Sequence, residues 1–534
     1  MFHKKIKFLI FRNDQEIIKS KSMSSSKKQL HQSTRKSLSW RILEIIPGFL
    51  TWFTLLFPLT CSIYHPQAIA YFAIFYAVLW LFRSFKLSFY LLISYRKFKR
   101  EQGIDWQKKI SSLAREDIPS PYLASKNIVH FVVLITYKEE EEVLRDSIKS
   151  YVESNIDTKR KLRFILAIEE ADQKNGEKIF CNLKKEFSPY FYDFHLTVHP
   201  KNVPGEIPGK SSNINYAARE IKKIIDREKI SYDRVLLSNF DADTVVHDQY
   251  FSELEYRYLT QKNRTKKAYQ PVHLYHNNIW DVPAVVRIVA LSGSFWRMAE
   301  SQQISKYRSF SSRSNSFANL VDLDFWDPSI IPEDSRQYWT GYFKYKGDFK
   351  LTSLSSPLYM DAVSSQGYFT TLKSQYIQIR RWAWGVSDFP FVTLNSIRSG
   401  IPLWKKVKVI WELLENNLFW ATAPFLITFL GWIPSLINSS FRQSVLAYRL
   451  PDVLSQILTL SSIGLLLCAS FTILILPRNE QNKGFFAYPK MFFQWVLIPF
   501  VSIFFSAMPA IDAQTRLMLS KDLSYKVTDK FRKR

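Results

Sequence analysis

Two aspartates that follow an apolar stretch are the first residues in this sequence that indicate chemistry. Asp241 and Asp243 come directly after the run 235–240, with Ala242 between them. Two carboxylates at positions i and i+2, on a turn after a strand, can hold Mg²⁺ or Mn²⁺ and leave coordination sites for phosphate oxygens. A polar turn has the same composition, but the place of the pair after an apolar strand favours a metal site.

A second segment has the composition of a phosphate site. The sequence Gly-Lys-Ser-Ser-Asn, from Gly209 to Asn213, opens a stretch with helical periodicity. The amides at a helix N-terminus and the ammonium of Lys210 both attract phosphate. Taken alone, the pattern is also that of a capped surface helix, so the interpretation depends on what lies beside it.

Two further groups supply a carboxylate pair and a planar cation. Glu333 and Asp334 follow Ile-Ile-Pro, and a carboxylate at a domain surface can act as a general base toward a hydroxyl. Gln378, Arg381 and Trp382 share one stretch with the composition of a helix. The guanidinium can bind a diphosphate as a fork, and the indole offers a flat face to a sugar ring. A solvated acidic pair and an interfacial helix are the alternatives.

The elements that must position these residues alternate between strand and helix patterns. Strands are expected at 128–136, 162–168, 194–198 and 235–240, and helices at 140–152, 213–225 and 248–259. This alternation predicts an α/β fold with a mostly parallel sheet and helices on both faces. Ligands bind beyond the carboxyl ends of such strands, so the segments 136–142, 168–172 and 241–243 are the candidate ligand-binding loops. The chain has no dinucleotide fingerprint and no P-loop, which disfavours a dehydrogenase and a P-loop ATPase.

Composition narrows the class of protein. The chain has 534 residues, 47% of them hydrophobic, and a formal net charge of +26. Its length exceeds what one core supports, and its three cysteines exclude a disulfide scaffold. The charge implies an anionic partner such as nucleic acid, lipid headgroups or a phosphorylated substrate.

Uncharged apolar runs near both ends predict an integral, multi-pass membrane protein. The runs are 45–63, 66–82, 418–440, 453–476 and 491–511. The stretch 87–95 is either a continuation of the second run or an interfacial piece. A channel or transporter is disfavoured, because the best runs carry no charge that would line a path.

Lys and Arg beside the runs predict the orientation. The basic tail 1–41 is expected in the cytoplasm, and the membrane pair 42–100 returns the chain there, so 101–408 is predicted to be cytoplasmic. The membrane region 409–511 follows, and its fifth run would leave the basic tail 512–534 outside. Either that run is re-entrant or the number of spans is not five. Basic residues concentrate at these membrane-flanking ends, which indicates anionic lipid and the cell membrane rather than nucleic acid.

In this order, the segments resemble those of the membrane-embedded family 2 glycosyltransferases, the group that includes cellulose, chitin and hyaluronan synthase-like enzymes. The resemblance covers about 129–386 and the flanking spans, and Gln378, Arg381 and Trp382 match its most diagnostic motif in full. It implies a GT-A fold, a nucleotide-sugar donor that is usually a UDP-sugar, Mg²⁺ or Mn²⁺, and inversion at the anomeric carbon.

The resemblance also implies roles for single residues. On the donor side, the implied nucleotide-binding residues are Thr136, Tyr137, Glu139, Glu169 or Glu170, Lys210, Asn213 and Asp241. Asp241 and Asp243 would hold the metal. Asp334 would be the base, with Glu333 beside it. Arg381 would bind the diphosphate, and Gln378 and Trp382 the acceptor sugar.

The C-terminal tail looks like the Phe-x-Val-Thr-x-Lys gating loop of bacterial cellulose synthases. Tyr525 stands in place of the Phe, and Thr528 and Lys530 would reach the bound nucleotide. Other departures are Lys138 in place of an Asn, a Glu pair at 169–170 in place of an Asp pair, and Pro332 in place of a Thr. The resemblance fits a polysaccharide synthase, and alternatively a transferase that adds one sugar to a lipid acceptor.

Overall fold

The structure is a computed structural model that describes residues 37–477 and 487–523. Its strands are β1 (Val129–Ile135), β2 (Leu162–Glu169), β3 (Asp193–His199), β4 (Val235–Asp241), β5 (Val245–Val246), β6 (Ala268–Leu274), β7 (Arg313–Ser316) and β8 (Leu351–Tyr359). The helices before β5 are α1 (Leu38–Tyr64), α2 (Pro66–Gln102), α3 (Trp106–Ser111), α4 (Glu141–Val152), α5 (Thr158–Lys161), α6 (Gln173–Phe187) and α7 (Lys210–Arg227).

The remaining helices lie between β5 and the C-terminal end of the described chain. They are α8 (Tyr250–Thr260), α9 (Ala284–Ser301), α10 (Phe317–Asp322), α11 (Glu333–Lys344), α12 (Tyr368–Ala383), α13 (Asp388–Arg398), α14 (Leu403–Phe429), α15 (Ile433–Ile437), α16 (Ser439–Arg442), α17 (Val445–Ile475), α18 (Ala487–Phe493), α19 (Ile498–Ser502) and α20 (Met508–Met518).

All eight strands form one mixed sheet in the order β3-β2-β1-β4-β7-β6-β8-β5. The pairs β1–β2, β1–β4, β2–β3 and β6–β8 are parallel, whereas β4–β7, β6–β7 and β5–β8 are antiparallel. Parallel pairs are therefore in the majority within the described chain. The predicted α/β class with a mostly parallel sheet is confirmed.

Alternate residues of the central strands bury two separate cores, because successive side chains of a strand point to opposite faces. On one face, Val132 of β1 and Phe240 of β4 pack with Leu144 of α4 and with helices α6 and α8. On the other face, Val133 and Leu237 pack against α7 and α10. Helices thus cover both faces, as the sequence predicts.

Four helical segments are long and apolar enough to cross a membrane. They are Leu38–Tyr64, Pro66–Gln102, Val445–Ile475 and Tyr488–Met518. The stretch 87–95 continues the second of these helices and is not a separate interfacial piece. In the last segment, a π-helical turn at Ile503–Ala507 joins α19 to α20.

The run 418–440, predicted as one span, is instead divided among three helices. Helix α14 begins at Leu403, in a stretch rich in lysine, and ends at Phe429. Gly431 and Pro434 follow its end, and the short helices α15 and α16 complete the run. The bounds 418–440 are therefore wrong, but the run still leads to the end of α1 that lies farthest from the basic tail, where Asn438 donates its side-chain amide to Ile63 O at 3.1 Å.

Candidate functional site

The carboxyl ends of the central parallel strands meet at one edge of the sheet. Ile135, the last residue of β1, pairs with Ala167 on one side and with Asp241 on the other. The amide of Thr136 donates to the carbonyl oxygen of Ala167 at 3.0 Å, which extends this edge by one residue. The loops after β1 and β4, both selected from the sequence, are therefore neighbours.

Lys210 is the centre of a charged cluster at this edge. As the first residue of α7, it places its ammonium 2.9 Å from Asp241 Oδ1, 3.6 Å from Glu333 Oε1 and 3.9 Å from Asp334 Oδ2. Burial lowers the pKa of Lys210, but the three carboxylates outweigh burial and raise that pKa above its usual value. Three segments that are far apart in the sequence, at 210, 241 and 333–334, thus meet at the protonated amine of Lys210.

Glu333 and Asp334 form the first turn of α11, where the helix dipole favours negative charge. Asp334 Oδ2 accepts a hydrogen bond from the amide of Ser311 at 2.7 Å, and Asp334 Oδ1 accepts one from Nη1 of Arg313. Burial, with the neighbouring charge of Asp334, raises the pKa of Glu333, and Lys210 only partly opposes this. Asp334 is the carboxylate that these two hydrogen bonds hold, and both Glu333 and Asp334 line the main cavity of the protein, which opens at this edge of the sheet.

Asp241 and Asp243 supply two carboxylates to the same edge. Ser311 donates its hydroxyl to Asp241 Oδ2 at 2.6 Å, and the amide of Asp361 donates to Asp243 Oδ2 at 2.9 Å. Among the described residues, no group of three or more His, Cys, Asp or Glu side chains is placed to bind a metal. Two hard oxygen ligands nevertheless fit a cation such as Mg²⁺ or Mn²⁺ that completes its coordination with phosphate and water.

The loop after β1 forms a polar wall beside this cluster. Thr136 Oγ1 donates to Glu139 Oε2 at 2.8 Å, and the amide of Tyr137 donates to the same oxygen. Asn213, on the first turn of α7, donates its side-chain amide to Ala167 O at 3.2 Å. Thr136, Tyr137, Glu139 and Asn213 all line the main cavity, so the structure brings together these predicted donor-side residues.

The two glutamates after β2 are placed differently. Glu169 lines the cavity and accepts a hydrogen bond from His199 Nδ1 at 2.8 Å, while His199 Nε2 is 2.8 Å from Glu206 Oε2. Glu170 lies outside the cavity lining, and its carboxylate accepts the amide of Lys201 at 2.7 Å. Of the two alternatives left open by the sequence, Glu169 is the one that faces the cavity.

Helix α12 carries the Gln-x-x-Arg-Trp residues on one side. Arg381 and Trp382 follow Gln378 by three and four residues, which places each of them beside Gln378 on the helix surface, and all three line the cavity. The ring of Trp382 lies edge-on to that of Phe310, with 5.5 Å between ring centroids. The adjacent Arg380 forms an ion pair with Asp512 at 2.8 Å, which ties α12 to α20.

One cavity of about 2360 Å³ joins the charged cluster, the loop after β1 and the Gln-x-x-Arg-Trp residues of α12, and it continues between the apolar helices. At the sheet it is lined by Lys210, Asp241, Asp243 and Asp334. Beyond α12 its lining residues are aromatic, polar and apolar side chains of the helical segments, including Trp80, Arg83, Phe419, Trp420, Ile427, Leu458, Ser461 and Trp495. A single long molecule can therefore occupy the cavity from the charged cluster to the level of the helices.

Sequence reasoning missed three residues that hold the site. Ser311, Arg313 and Asp361 lie in segments without a recognisable motif, and only the fold brings them to the carboxylates. Thr528 and Lys530, which the resemblance places at the nucleotide, lie outside the described residues, so their role stays a prediction.

Comparisons with known proteins give similarities at low identity. No family model matches the chain, and no curated protein matches it. The chain is similar to the mannosyltransferase PcManGT from Pyrobaculum calidifontis, solved in complex with GDP-Man and Mn²⁺, with 14% identity, a TM-score of 0.37, and 84% of this chain and 100% of that chain covered.

Two other solved structures are also similar. For S. aureus TarS 1–349 in complex with UDP, the identity is 11%, the TM-score 0.31, and the covered shares are 63% of this chain and 90% of that chain. For GalNAc-T7 with UDP, GalNAc and Mn²⁺, the identity is 11%, the TM-score 0.28, and the covered shares are 57% and 58%. The chain is similar to these three proteins at identities that assign it to none of their families.

Proposed function

We propose that the protein is an inverting, metal-dependent glycosyltransferase that transfers a sugar from a nucleotide-sugar to a growing polysaccharide at the cytoplasmic face of the membrane. The observation that carries the proposal is the single cavity that joins Lys210, Asp241 and Asp334 to Arg381 and continues between the apolar helices. The ordered motifs, which resemble those of family 2 enzymes with a GT-A fold, support the same reaction, with a UDP-sugar as the expected donor.

The donor diphosphate is assigned to the cationic side of the cluster. Lys210 and Arg381 both line the cavity and would neutralise charge on the leaving nucleoside diphosphate. Asp241 and Asp243 would hold Mg²⁺ or Mn²⁺, which when bound neutralises charge that develops on the diphosphate oxygens. Thr136, together with Glu169, would lie against the nucleoside.

The acceptor hydroxyl is assigned to Asp334. As the hydroxyl oxygen attacks the anomeric carbon from the face opposite the diphosphate, Asp334 accepts its proton, and the bond from that carbon to the diphosphate oxygen breaks. This single displacement inverts the anomeric centre and requires no covalent enzyme intermediate. Gln378 and Trp382 would hold the acceptor sugar, because hydrogen bonds and a flat aromatic face both suit a pyranose ring.

The membrane helices are assigned to the passage of the product. Helix α17 runs parallel to α2, from Ala447 near Ala70 to Phe471 near Tyr95, so α1, α2, α14 and α17 would make four crossings and return the chain to its starting side. The tails 1–41 and 512–534 and the domain 101–408 would then all be cytoplasmic, as the basic tails require. The multi-pass protein would lie in the cell membrane, where anionic lipid meets its basic flanks. Trp80, Trp420 and Trp495 line the cavity at this level and provide faces for successive sugar rings.

A second candidate is the transfer of one sugar to a lipid acceptor. Apolar side chains, including Ile427 and Leu458, also line the cavity between the helices and would suit an acyl or isoprenoid tail. In this case the lipid headgroup would present its hydroxyl to Asp334. The two candidates share the donor chemistry and differ in the length of the product.

A donor screen tests the proposal. The purified protein in lipid nanodiscs is incubated with labelled UDP- and GDP-sugars and with Mg²⁺, Mn²⁺ or EDTA, and both nucleotide release and product size are measured. Metal-dependent release from one donor with a long product supports polysaccharide synthesis. A product with one added sugar, extracted with lipid, supports the second candidate. Absence of nucleotide release from every donor contradicts both.

A further inference from the structure

Ser311 and Arg313, at the start of β7, add a second cation and two hydrogen-bond donors to the charged cluster. Lys210 contacts Asp241 at 2.9 Å but is 3.9 Å from Asp334, whose other oxygen is bound by Arg313. Ser311 lies between the two carboxylates: its hydroxyl donates to Asp241 and its amide to Asp334. Both carboxylates therefore contact Lys210, but Asp241 is the nearer of the two, and Arg313 is the nearer cation of Asp334.

Arg313 occupies an unusual place for a charged side chain. It is the first residue of β7, its side chain is 0% exposed, and it pairs across the sheet with Asn239 of β4. Its Nη1 donates to Asp334 and its Nη2 to Gln337, which is one turn along α11 from Glu333. A buried guanidinium is costly unless a partner compensates it, and Asp334 is the carboxylate that does so.

The backbone at Ser311 fixes this arrangement from the other side. Ser311 has φ +48°, in the left-handed region that residues other than glycine seldom adopt. This conformation accompanies an amide that points at Asp334 and a hydroxyl that points at Asp241. Strained backbone of this kind persists where the surrounding contacts over-determine it, and here those contacts are the two carboxylates.

We propose that Arg313, with Ser311, is a positioning residue that aims the Asp334 carboxylate at the acceptor. This inference rests on the proposed function, in which Asp334 is the base. The fork of Arg313 binds Asp334 and Gln337 together, so it fixes the rotation of the carboxylate as well as its place. Neither the sequence motifs nor the resemblance assigns a role to Arg313 or Ser311.

The first test separates turnover from donor binding. In Arg313→Gln, kcat is expected to fall roughly 10- to 100-fold, because a small misplacement of a reacting group costs about that much, while the donor KM changes less than about twofold. The matched control is Arg163→Gln. Arg163 is also buried, lies on β2 and forms an ion pair with Glu228, so its loss should lower thermal stability and leave kcat unchanged.

The second test asks whether Arg313 acts through Asp334. If it does, adding Arg313→Gln to Asp334→Asn should cause no further loss of the residual transfer, measured over long incubations with labelled donor. Wild-type kcat in Arg313→Gln, or losses that multiply in the double variant, would overturn the inference.

A third variant covers the case in which Arg313→Gln does not fold. Arg313→Lys keeps the charge but cannot bind both partners as a fork, so we expect a folded protein with reduced kcat and an unchanged donor KM. Wild-type kcat in Arg313→Lys would then overturn the inference. Failure of the proposed function is distinguishable, because it would appear as an inactive wild-type protein that releases no nucleotide from any donor.

Discussion

Lys210 and Asp241 form an ion pair of 2.9 Å although they belong to motifs that each have an ordinary explanation in the sequence. Alone, the Gly-Lys-Ser-Ser-Asn segment fits a capped helix, and the Asp-Ala-Asp segment fits a polar turn. The contact between them, at the edge where Asp334 also lies, turns two weak patterns into one charged site.

Replacing Asp334 with Asn should remove the base and keep the fold. Asn is nearly isosteric, and its one side-chain oxygen can keep the hydrogen bond from Ser311 or the one from Arg313, but not both. We expect kcat for transfer to fall roughly 10²- to 10⁴-fold, the usual contribution of a general base, with nucleotide affinity close to that of the wild type. Steady-state rates and nucleotide titrations measure the two quantities on the same sample.

The control for this variant is Asp324→Asn. Asp324 pairs with Arg219 at the surface and has φ +60°, a conformation that Asn adopts as readily as Asp. It should transfer sugar at the wild-type rate. Normal transfer by Asp334→Asn would remove Asp334 from the mechanism.

Asp243 is expected to govern the metal dependence of donor binding. Its side chain is buried and accepts the amide of Asp361, a bond that Asn can keep. Asp243→Asn should therefore fold but weaken Mn²⁺-dependent nucleotide binding at least about tenfold, or ~1.4 kcal/mol. Calorimetric titration of UDP with Mn²⁺ and with EDTA measures the effect. Equal affinities for wild type and variant in Mn²⁺ would argue against the metal role.

The first half of the sheet could be predicted from sequence, and the second half could not. Strands β1 to β4 lie within two residues of their predicted positions, because apolar residues dominate β1, β2 and β4 and alternate with polar residues in β3. Strand β7 is Arg-Ser-Asn-Ser, all of it buried, and it carries no apolar pattern. One of its polar side chains, Ser314, has a partner inside the protein, in a 2.6 Å hydrogen bond with Ser238 of β4.

The same limit applies to the site. The titratable residues of the motifs were recognisable by type and spacing, and the cavity lining includes most of them. Ser311 and Arg313 were not, because their roles come from a backbone conformation and from pairing with β4 across the sheet. The bounds of the run 418–440 were mispredicted for a related reason, since hydropathy does not report that the helix begins at Leu403 and ends at Phe429.

Trp382 should contribute to acceptor binding. Its ring lines the cavity edge-on to Phe310, so removing it takes away one face for a sugar ring without removing a charge. In Trp382→Ala we expect the acceptor KM to rise about threefold to tenfold, in line with the 0.5–1.5 kcal/mol of an aromatic contact, and the donor KM to stay unchanged. Trp382→Phe keeps an aromatic face and should lose less. A larger change in donor KM than in acceptor KM would contradict this assignment.

His199 should make the stability of the protein depend on pH. Burial lowers the pKa of His199, but hydrogen bonds to Glu169 and Glu206 outweigh burial and raise that pKa above the usual 6.5. A histidine with a raised pKa in the folded state stabilises that state fully below its unfolded pKa, and the stabilisation is lost as the pH rises through the folded pKa. The wild-type melting temperature should therefore fall as the pH rises above about 6.5. In His199→Gln this part of the fall should be absent, so that the wild-type melting temperature should fall by about 2 °C or more beyond that of the variant over the same pH range.

Melting curves from pH 6 to 9 in one detergent measure this difference, with His195→Gln as the control. His195 lies on the same strand but its side chain is 42% exposed, and its partner Asp193 is 3.6 Å away, so its replacement should leave the wild-type slope. Parallel slopes for wild type and His199→Gln would show that the Glu169–His199–Glu206 contacts do not hold a proton in the folded protein.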